Sequence, residues 1–253
     1  MKISIITAAF NSGDTIRDTI ESVLNQTHKD WELIIKDGGS KDNTIDICRE
    51  MAKSSGGRIH IISSQDKGIY DAMNQGIEFA SGAVIGLLNS DDFYTSKDIL
   101  ETISETFERT GCDAVYGDIH YVNDGDLDKI VRYYSSASFK RERMMQGWMP
   151  AHPSFYCRRE VYRQYGLFDT SFKVAADFEQ LLRLIYINNI TVQYIPKDFV
   201  TMRLGGASTA GLKARIVIMK EILQGFKKNG IRNNFFRLST RYFSKLLEYG
   251  KKH

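Results

Sequence analysis

A chain of 253 residues, 42% hydrophobic and 26% charged, is long enough for one large packed domain or two small ones and too apolar for a disordered one. Three cysteines, Cys48, Cys112 and Cys157, lie far apart without a C-x-x-C pair, which argues against a disulfide framework or a zinc site and fits a reducing cytosol. The net charge of +3 conceals an asymmetry: residues 211–253 carry 11 Lys or Arg against 2 Asp or Glu, so residues 1–210 are net acidic, with 23 basic and 29 acidic side chains.

The N-terminal "MKISIITAAFN" combines one Lys with an uncharged run, but no small-residue cleavage site follows before "NSGDTIRDTI" begins a helical pattern, so residues 3–8 are read as a first strand. No run approaches the eighteen or more apolar residues of a membrane span. Helical spacing of Ile16, Ile20, Val23 and Leu24 follows, then a strand over 31–37, a helix over 43–53 and a strand over 58–63. A helix with Ile69, Met73, Ile77 and Ala80 on one face is ended by Gly82, and residues 83–89 supply a fourth strand. Strands alternating with helices at this spacing predict an α/β fold, Rossmann-like, with a mostly parallel sheet covered by helices on both faces.

Further on, "DAVYGDIHYVNDGDLDKIVRYY" predicts two strands around a turn at 123–126, "MPAHPSF" a loop, and 178–186 a helix with Phe178, Leu181, Leu182 and Ile185 inward. Beyond Gly211 two helices are expected. The first carries a stripe of Leu212, Ile216, Met219, Leu223 and Phe226; the second carries Phe235, Phe236, Leu238, Tyr242, Phe243, Leu246 and Leu247, with Arg237, Arg241 and Lys245 on another side. Aromatic residues beside a basic stripe suit an anionic membrane surface, and equally a helical pair packed on the domain or a homodimer contact. Nucleic acid would use the same charge, but no supporting motif is present, so none is expected as a partner.

Ligands of open α/β sheets bind beyond the carboxyl ends of the strands, where "AAFN" (8–11), "DGGSKDNT" (37–44) and "NSDD" (89–92) fall. Asp37 closes a strand, Gly38 and Gly39 permit an unusual turn, and Ser40 or Asp42 is placed to cap the next helix. Asp91 and Asp92 are adjacent like charges with no basic neighbour in sequence, a pair that must either face solvent or meet a cation.

The ordered occurrence of "SIITAAFNSGDTIRDTIESVLNQTHKDWELIIKDGGSKDNT", "DKGIYDAMNQGIEFASGAVIGLLNSDD" and "HPSFYCRREVYRQYGLFDTSFKVAADFEQLLRL" closely resembles the family-two nucleotide-sugar glycosyltransferases of GT-A fold, over roughly residues 2–208. The resemblance implies a GT-A domain over 1–210 with a basic amphipathic helical extension over 211–253. It places Asp37 as acceptor of the uracil ring N–H, and Ala8 and Phe10 as nucleotide contacts on the first strand. For Phe10, core packing is the alternative; for Lys67, a counter-charge to the sugar or diphosphate stands beside a solvated lysine.

In the same resemblance "NSDD" takes the place of the D-x-D motif. Asp91 becomes the metal-binding acid for Mn²⁺ or Mg²⁺, and Asn89, in the first acidic position, an uncharged acceptor of a ribose hydroxyl. Asp92 either supports the metal ligand or caps the segment near Ser96. Asp177 aligns with the catalytic base, the second of two successive acids in the family, with Ala176 replacing the first, and His152 lies in the loop before it, to contact the acceptor or diphosphate or to order the loop. "RLGGAST" (203–209) is either a hinged flap with Arg203 on phosphate or a surface turn. The function implied is metal-dependent, inverting transfer from a UDP-sugar to a lipid-linked or glycan acceptor in cell-surface polysaccharide synthesis, by a cytoplasmic enzyme peripheral on the inner face of the membrane. The loss of an acid at Asn89 and at Ala176 raises the alternative of a non-catalytic sugar-nucleotide-binding scaffold.

Overall fold

The computed structural model describes residues 1–205 and 211–239. The β-branched runs at the N-terminus form β1 (Ile3–Ala9) and β2 (Trp31–Asp37), with every residue of both buried, as strands covered on two faces require. They pair in parallel from Ile3 opposite Trp31 to Ala9 opposite Asp37. On either side lie β3 (Ile59–Ser63) and β4 (Val84–Leu87), also parallel. The crossovers are α1 (Ile16–Leu24), α2 (Thr44–Ala52) and α3 (Ile69–Phe79). All of these elements stand within two residues of the bounds predicted from hydrophobic period. One side chain departs: Ile69, expected to face inward, is 47% exposed because it opens α3 at the lip of a cavity.

The second half of the sheet is built differently. After β5 (Phe93–Tyr94) and α4 (Ile99–Thr110), the chain forms the predicted hairpin, β6 (Ala114–Asn123) and β7 (Asp126–Tyr134), around Asp124-Gly125. Next come β8 (Tyr156–Arg158), α5 (Arg159–Tyr165) and α6 (Ala176–Leu181), which runs on as a π-helical turn over Leu182–Ile187. Strand β9 (Val192–Arg203) and α7 (Gly211–Lys228) complete the described elements. The sheet order is β3-β2-β1-β4-β8-β6-β9-β5, and β7 pairs with β6. The short β8 runs antiparallel to both β4 and β6, and so joins the parallel block to the long β6–β9 pair.

Two apolar clusters fill the space between sheet and helices. One packs α1, α2 and α4 on one face through Ile20, Cys48 and Phe107; the other packs α3, α5 and α6 on the opposite face. Met219, Ile222 and Phe226 of α7, with Leu238, belong to that second cluster, together with Phe178 and Leu181. The start of the C-terminal extension thus packs into the same core as the residues before 210. Of the predicted α7 stripe, Met219 and Phe226 are buried and Leu223 is partly so, whereas Ile216 is 49% exposed and Ile222 takes the inward place. Residues 235–239 are helical, with Phe235 and Phe236 exposed and Leu238 buried. The side chain of Leu212, and Arg241, Tyr242, Phe243, Lys245, Leu246 and Leu247, lie outside the described residues.

The junction at β8 depends on one glycine. Gly86 of β4 lies opposite Tyr156, and a Cβ there would stand 2.0 Å from the Tyr156 ring. That ring is fully buried, with its hydroxyl bonded to Tyr94 at 2.5 Å. Gly86→Ala is therefore expected to destabilise the fold by about 1–3 kcal/mol through overpacking. The melting temperature should fall by roughly 2–12 °C, and an unchanged value in a thermal unfolding scan would mean that the ring does not fill this space.

Candidate active site

Because β1, β2 and β4 are parallel neighbours, their carboxyl ends deliver the loops 10–15, 38–43 and 88–92 to one edge. Side chains then tie these loops together. Asn11 turns the chain with φ 49°, a conformation that asparagine tolerates better than most residues. Its N–H donates to Ser40 Oγ at 2.8 Å and its Oδ1 accepts from the Lys41 N–H at 2.8 Å. Ser12 donates its N–H to Thr44 Oγ1 at 2.8 Å and shares a hydroxyl bond with Ser90 at 2.8 Å. Thr15 Oγ1 donates to the Ser90 carbonyl at 2.9 Å, and Thr19 Oγ1 to the Asp92 carbonyl at 2.7 Å.

Over this edge opens a cavity of about 690 Å³, lined among others by Ala8, Phe10, Asn89, Asp91, His152 and Asp177. Six of the eight residues expected at the site thus share one cavity, although they come from segments up to 169 residues apart. Phe10 is 62% exposed, so the core-packing alternative for its ring is overturned: it sits at the end of β1 with one face free.

Asp37 and Lys67 do not line the cavity. Asp37 is fully buried, and its carboxylate accepts from the Gly39 N–H at 3.0 Å, the Ser40 N–H at 3.2 Å, Ser40 Oγ at 2.5 Å and Ser63 Oγ at 2.8 Å. Burial opposes its ionisation, but these donors outweigh it and hold its carboxyl below the usual range. Asp37 therefore builds the turn, its carboxylate buried and engaged by these donors, an arrangement that argues against the expected direct contact with a base. The acid beside Phe10 is Asp66, which the sequence reading left out. A Cβ on Gly38 would lie 2.7 Å from Asp66 Oδ2 and 3.4 Å from the Phe10 ring. The fully buried Lys36 orients Asp66, donating to it at 3.3 Å and to the carbonyls of Asp37 and Ser64 at 2.9 and 2.6 Å. Lys67 is exposed on the loop before α3.

The "NSDD" turn carries a concentration of acid. Asn89 donates its amide to Asp92 Oδ2 at 2.8 Å, while Asp92 Oδ1 is buried without a partner. Burial pushes both Asp91 and Asp92 upward, and for Asp92 the adjacent Asp91 adds to the rise. Arg203 at the end of β9 stands against this turn. It donates to the Asp91 carbonyl at 2.6 Å, pairs with Asp18, and approaches Asp124 at 2.8 Å. Arg203 is thus a buried strand residue, and residues 206–210 of the expected flap lie outside the described residues.

Across the cavity, Asp177 occupies the first turn of α6, where its Oδ1 accepts from the Phe178 N–H at 2.7 Å. Burial raises its carboxyl, against the pull of His152 and of that N–H. His152, in the short 3₁₀ turn His152–Ser154, has a buried Nε2 without a partner, and burial lowers its tendency to protonate. The cavity therefore sets an acidic turn beside an aromatic face at one end, and a carboxylate held by backbone N–H groups of its own turn at the other. Tyr70 of α3 was also missed from sequence; it lines the cavity, with its hydroxyl close to the backbone of Ala176 and Asp177. Only its position inside "DKGIYDAMNQG" could have singled it out.

Comparison with known proteins accords with this geometry. The chain is 28% identical over 236 residues to the PGL/p-HBAD biosynthesis glycosyltransferase of Mycobacterium bovis, a match covering 86% of this chain and 89% of that protein. It is 30% identical over 183 residues to the chondroitin synthase of Pasteurella multocida, covering 72% of this chain and 18% of that much longer one. Among solved structures, S. aureus TarS in complex with UDP-GlcNAc superposes with TM-score 0.70 at 19% identity, over 89% of this chain and 66% of that one. A mannosyltransferase from Pyrobaculum calidifontis in complex with GDP-Man and Mn²⁺ gives 0.66 at 15%, over 90% and 63%. The chain spans just under two thirds of those two structures, and the likeness establishes the GT-A fold. Residues 4–166 match the family model "Glycosyl transferase family 2", and with the glycosyltransferase relatives this makes the chain a glycosyltransferase belonging to family 2.

Proposed function

We propose that the enzyme transfers a sugar, with inversion, from a UDP-sugar to a saccharide acceptor carried on a lipid or a growing glycan, in the synthesis of a cell-surface polysaccharide. The observation that carries this reading is the single cavity holding Phe10, Asp91 and Asp177. The names of relatives lend support: chondroitin and hyaluronan synthases for the polymer, and the mycobacterial PGL enzyme and a putative teichuronic acid enzyme for the cell envelope. The TarS complexes with UDP-GlcNAc and UDP support the donor class.

In this reading the exposed Phe10 ring stacks on the base, and Asp66, which like Asp37 is outside the cavity lining but stands with Phe10 around Gly38, offers a carboxylate to a ring N–H. Asn89 faces the ribose. The residues of the acidic turn fit a divalent cation: a carboxylate pair raised by burial, with one orphaned oxygen, gains from a positive charge, and Mg²⁺ or Mn²⁺ bound with a diphosphate needs only one or two carboxylates. Asp91, which lines the cavity, is the residue to hold it, and the ion supplies charge neutralisation to the departing diphosphate. Asp177 accepts the proton of the acceptor hydroxyl as that oxygen attacks the anomeric carbon from the face opposite UDP. His152, kept neutral by burial, contacts the acceptor or diphosphate without adding charge.

Asp91→Ala should abolish divalent-dependent UDP binding in calorimetry, whereas Asn89→Asp should tighten it. Full activity of Asp91→Ala in chelator would remove the metal from the reading. Asp177→Asn should cost about 10²–10⁴-fold in turnover with UDP binding retained. Since Asp177 works ionised and burial raises its carboxyl, kcat/KM should fall as pH drops through a value above the ~3.9 of a free aspartate. An acid limb at or below that value would place the base elsewhere.

No helix among the described residues is long and apolar enough to cross a membrane. The exposed Ile216, Val217, Phe235 and Phe236 instead stand in the basic C-terminal segment, and we assign this side to the inner surface of an anionic membrane, each Lys or Arg at the surface contributing about 1 kcal/mol. Liposomes with anionic lipid should sediment the protein at low salt and release it at high salt, and Phe235→Ser with Phe236→Ser should weaken the binding. Equal behaviour on neutral and anionic liposomes, with a dimeric mass in sedimentation, would assign the surface to a homodimer.

A further inference from the structure

Helix α6 begins without a cap of its own: Ala175 precedes it and offers no side-chain acceptor, where Ser, Thr, Asp or Asn would ordinarily satisfy the first N–H groups. The Phe178 N–H goes to Asp177 itself and the Tyr70 hydroxyl stands at the backbone of Ala176 and Asp177, while α7 supplies an acceptor to the segment that leads into the helix. Glu221 takes the N–H of Lys173 at 3.0 Å, of Val174 at 2.9 Å and of Ala175 at 2.9 Å, three successive donors immediately before the helix that carries Asp177. Such a bond between a charged acceptor and a backbone donor is among the stronger ones in proteins.

The rest of α7 is built to hold that carboxylate in place. Phe226 meets Phe178 edge-on at 5.5 Å, Gly225 lies against Glu179, and Asn229 donates to Glu179 at 2.9 Å. Lys228 pairs with Asp169 at 2.5 Å and donates to Ser171 at 2.7 Å, gripping the chain on the other side of the 173–175 segment. Ile218 and Ile222, which flank Glu221, line the same cavity as Asp177. On the opposite side the Tyr70 hydroxyl stands by the backbone of Ala176 and Asp177. The catalytic helix is thus clamped at its first turn between α3 and a side chain 44 residues beyond Asp177.

We propose that Glu221 is a positioning residue for the transfer reaction, setting the place of the Asp177 carboxylate by capping the segment that leads into α6. The inference rests on the reading of Asp177 as the base. Among the described residues, the charged or titratable groups that face Asp177 from the packed elements are His152 from the 3₁₀ turn before β8, Tyr70 from α3 and Glu221 from α7. Of these, Glu221 is the anion, and its charge adds to the rise that burial imposes on Asp177.

Two variants of the full chain test it. Glu221→Ala removes the acceptor; Glu221→Gln keeps a side-chain oxygen and removes the charge. With Mn²⁺ and a panel of UDP-sugars, UDP release by Glu221→Ala should slow by about tenfold or more in kcat, with donor KM and UDP affinity held. Glu221→Gln should recover most of the rate. In both variants the Asp177 carboxyl, followed by carbon NMR and assigned through Asp177→Asn, should titrate at lower pH than in the wild type, and the acid limb of UDP release should move with it. Amide exchange over 173–175 should quicken in Glu221→Ala. Unchanged Asp177 titration and unchanged amide exchange in Glu221→Ala would overturn the proposal, as would a loss of rate that appears only as a lowered melting temperature and is the same in both variants. If Asp177→Asn instead keeps wild-type UDP release while, in the chain that retains Asp177, the Asp177 titration still responds to Glu221→Ala, the reading of Asp177 as the base fails and the clamp stands.

Discussion

The site depends on the hydrogen bonds that bind the loop after β1 to the loops after β2 and β4. Parallel pairing brings three strand ends to one edge, but it does not hold the loops beyond them in register. Ser12, which reaches Thr44 on one side and Ser90 on the other, and Asn11, which exchanges bonds with Ser40 and Lys41, do this. These are short side chains whose geometry leaves little freedom, and they fix the acidic turn relative to the aromatic platform at Phe10. A preorganised edge of this kind places ligand groups without a rearrangement at the moment of binding.

Charge is handled by burial and by partners, differently at each carboxylate. Asp37 is ionised because four donors from its own turn and from β3 surround it. Asp91 and Asp92 have a thinner shell: Asn89 and the Arg203 backbone serve Asp92, and the Arg203 charge favours both carboxylates, but burial outweighs these and raises them. Burial thus disfavours the ionised pair, which a cation would relieve in the proposed reading. Asp177 is the third case, a carboxylate held among the described residues only by backbone N–H groups of its own turn, suited to receiving a proton. The same residue type serves as scaffold, as candidate ligand and as candidate base according to how many donors the fold turns toward it.

Helix α7 shows how far the enzyme's core extends. Met219, Ile222 and Phe226 bury against the elements that carry Asp177, so the basic segment beyond residue 210 begins as part of the globule before it presents Phe235 and Phe236 to solvent. Burial on one side and exposed aromatic rings on the other link the C-terminal segment physically to the cavity.

Local sequence determined the parallel half of the molecule. The β-branched runs of β1 and β2, the period of 3.6 in α1 to α3 and the Asp-Gly turn between β6 and β7 are properties of neighbours in the chain, and they were legible as such. So was the family, through motifs whose spacing survives without knowledge of contacts. What a side chain meets is decided at long range, and there the tertiary structure ruled. The motif around Asp37 reads as a base contact, but closure of its turn onto Ser40 and Ser63 buries the carboxylate and leaves Asp66, 29 residues on, beside Phe10. The helical stripe of α7 shifted from Ile216 to Ile222 because the groove it fills is cut by α6, not by its own periodicity. Glu221 carried no motif at all; its role arises only where two helices, distant in sequence, bring a carboxylate to three unpaired amides.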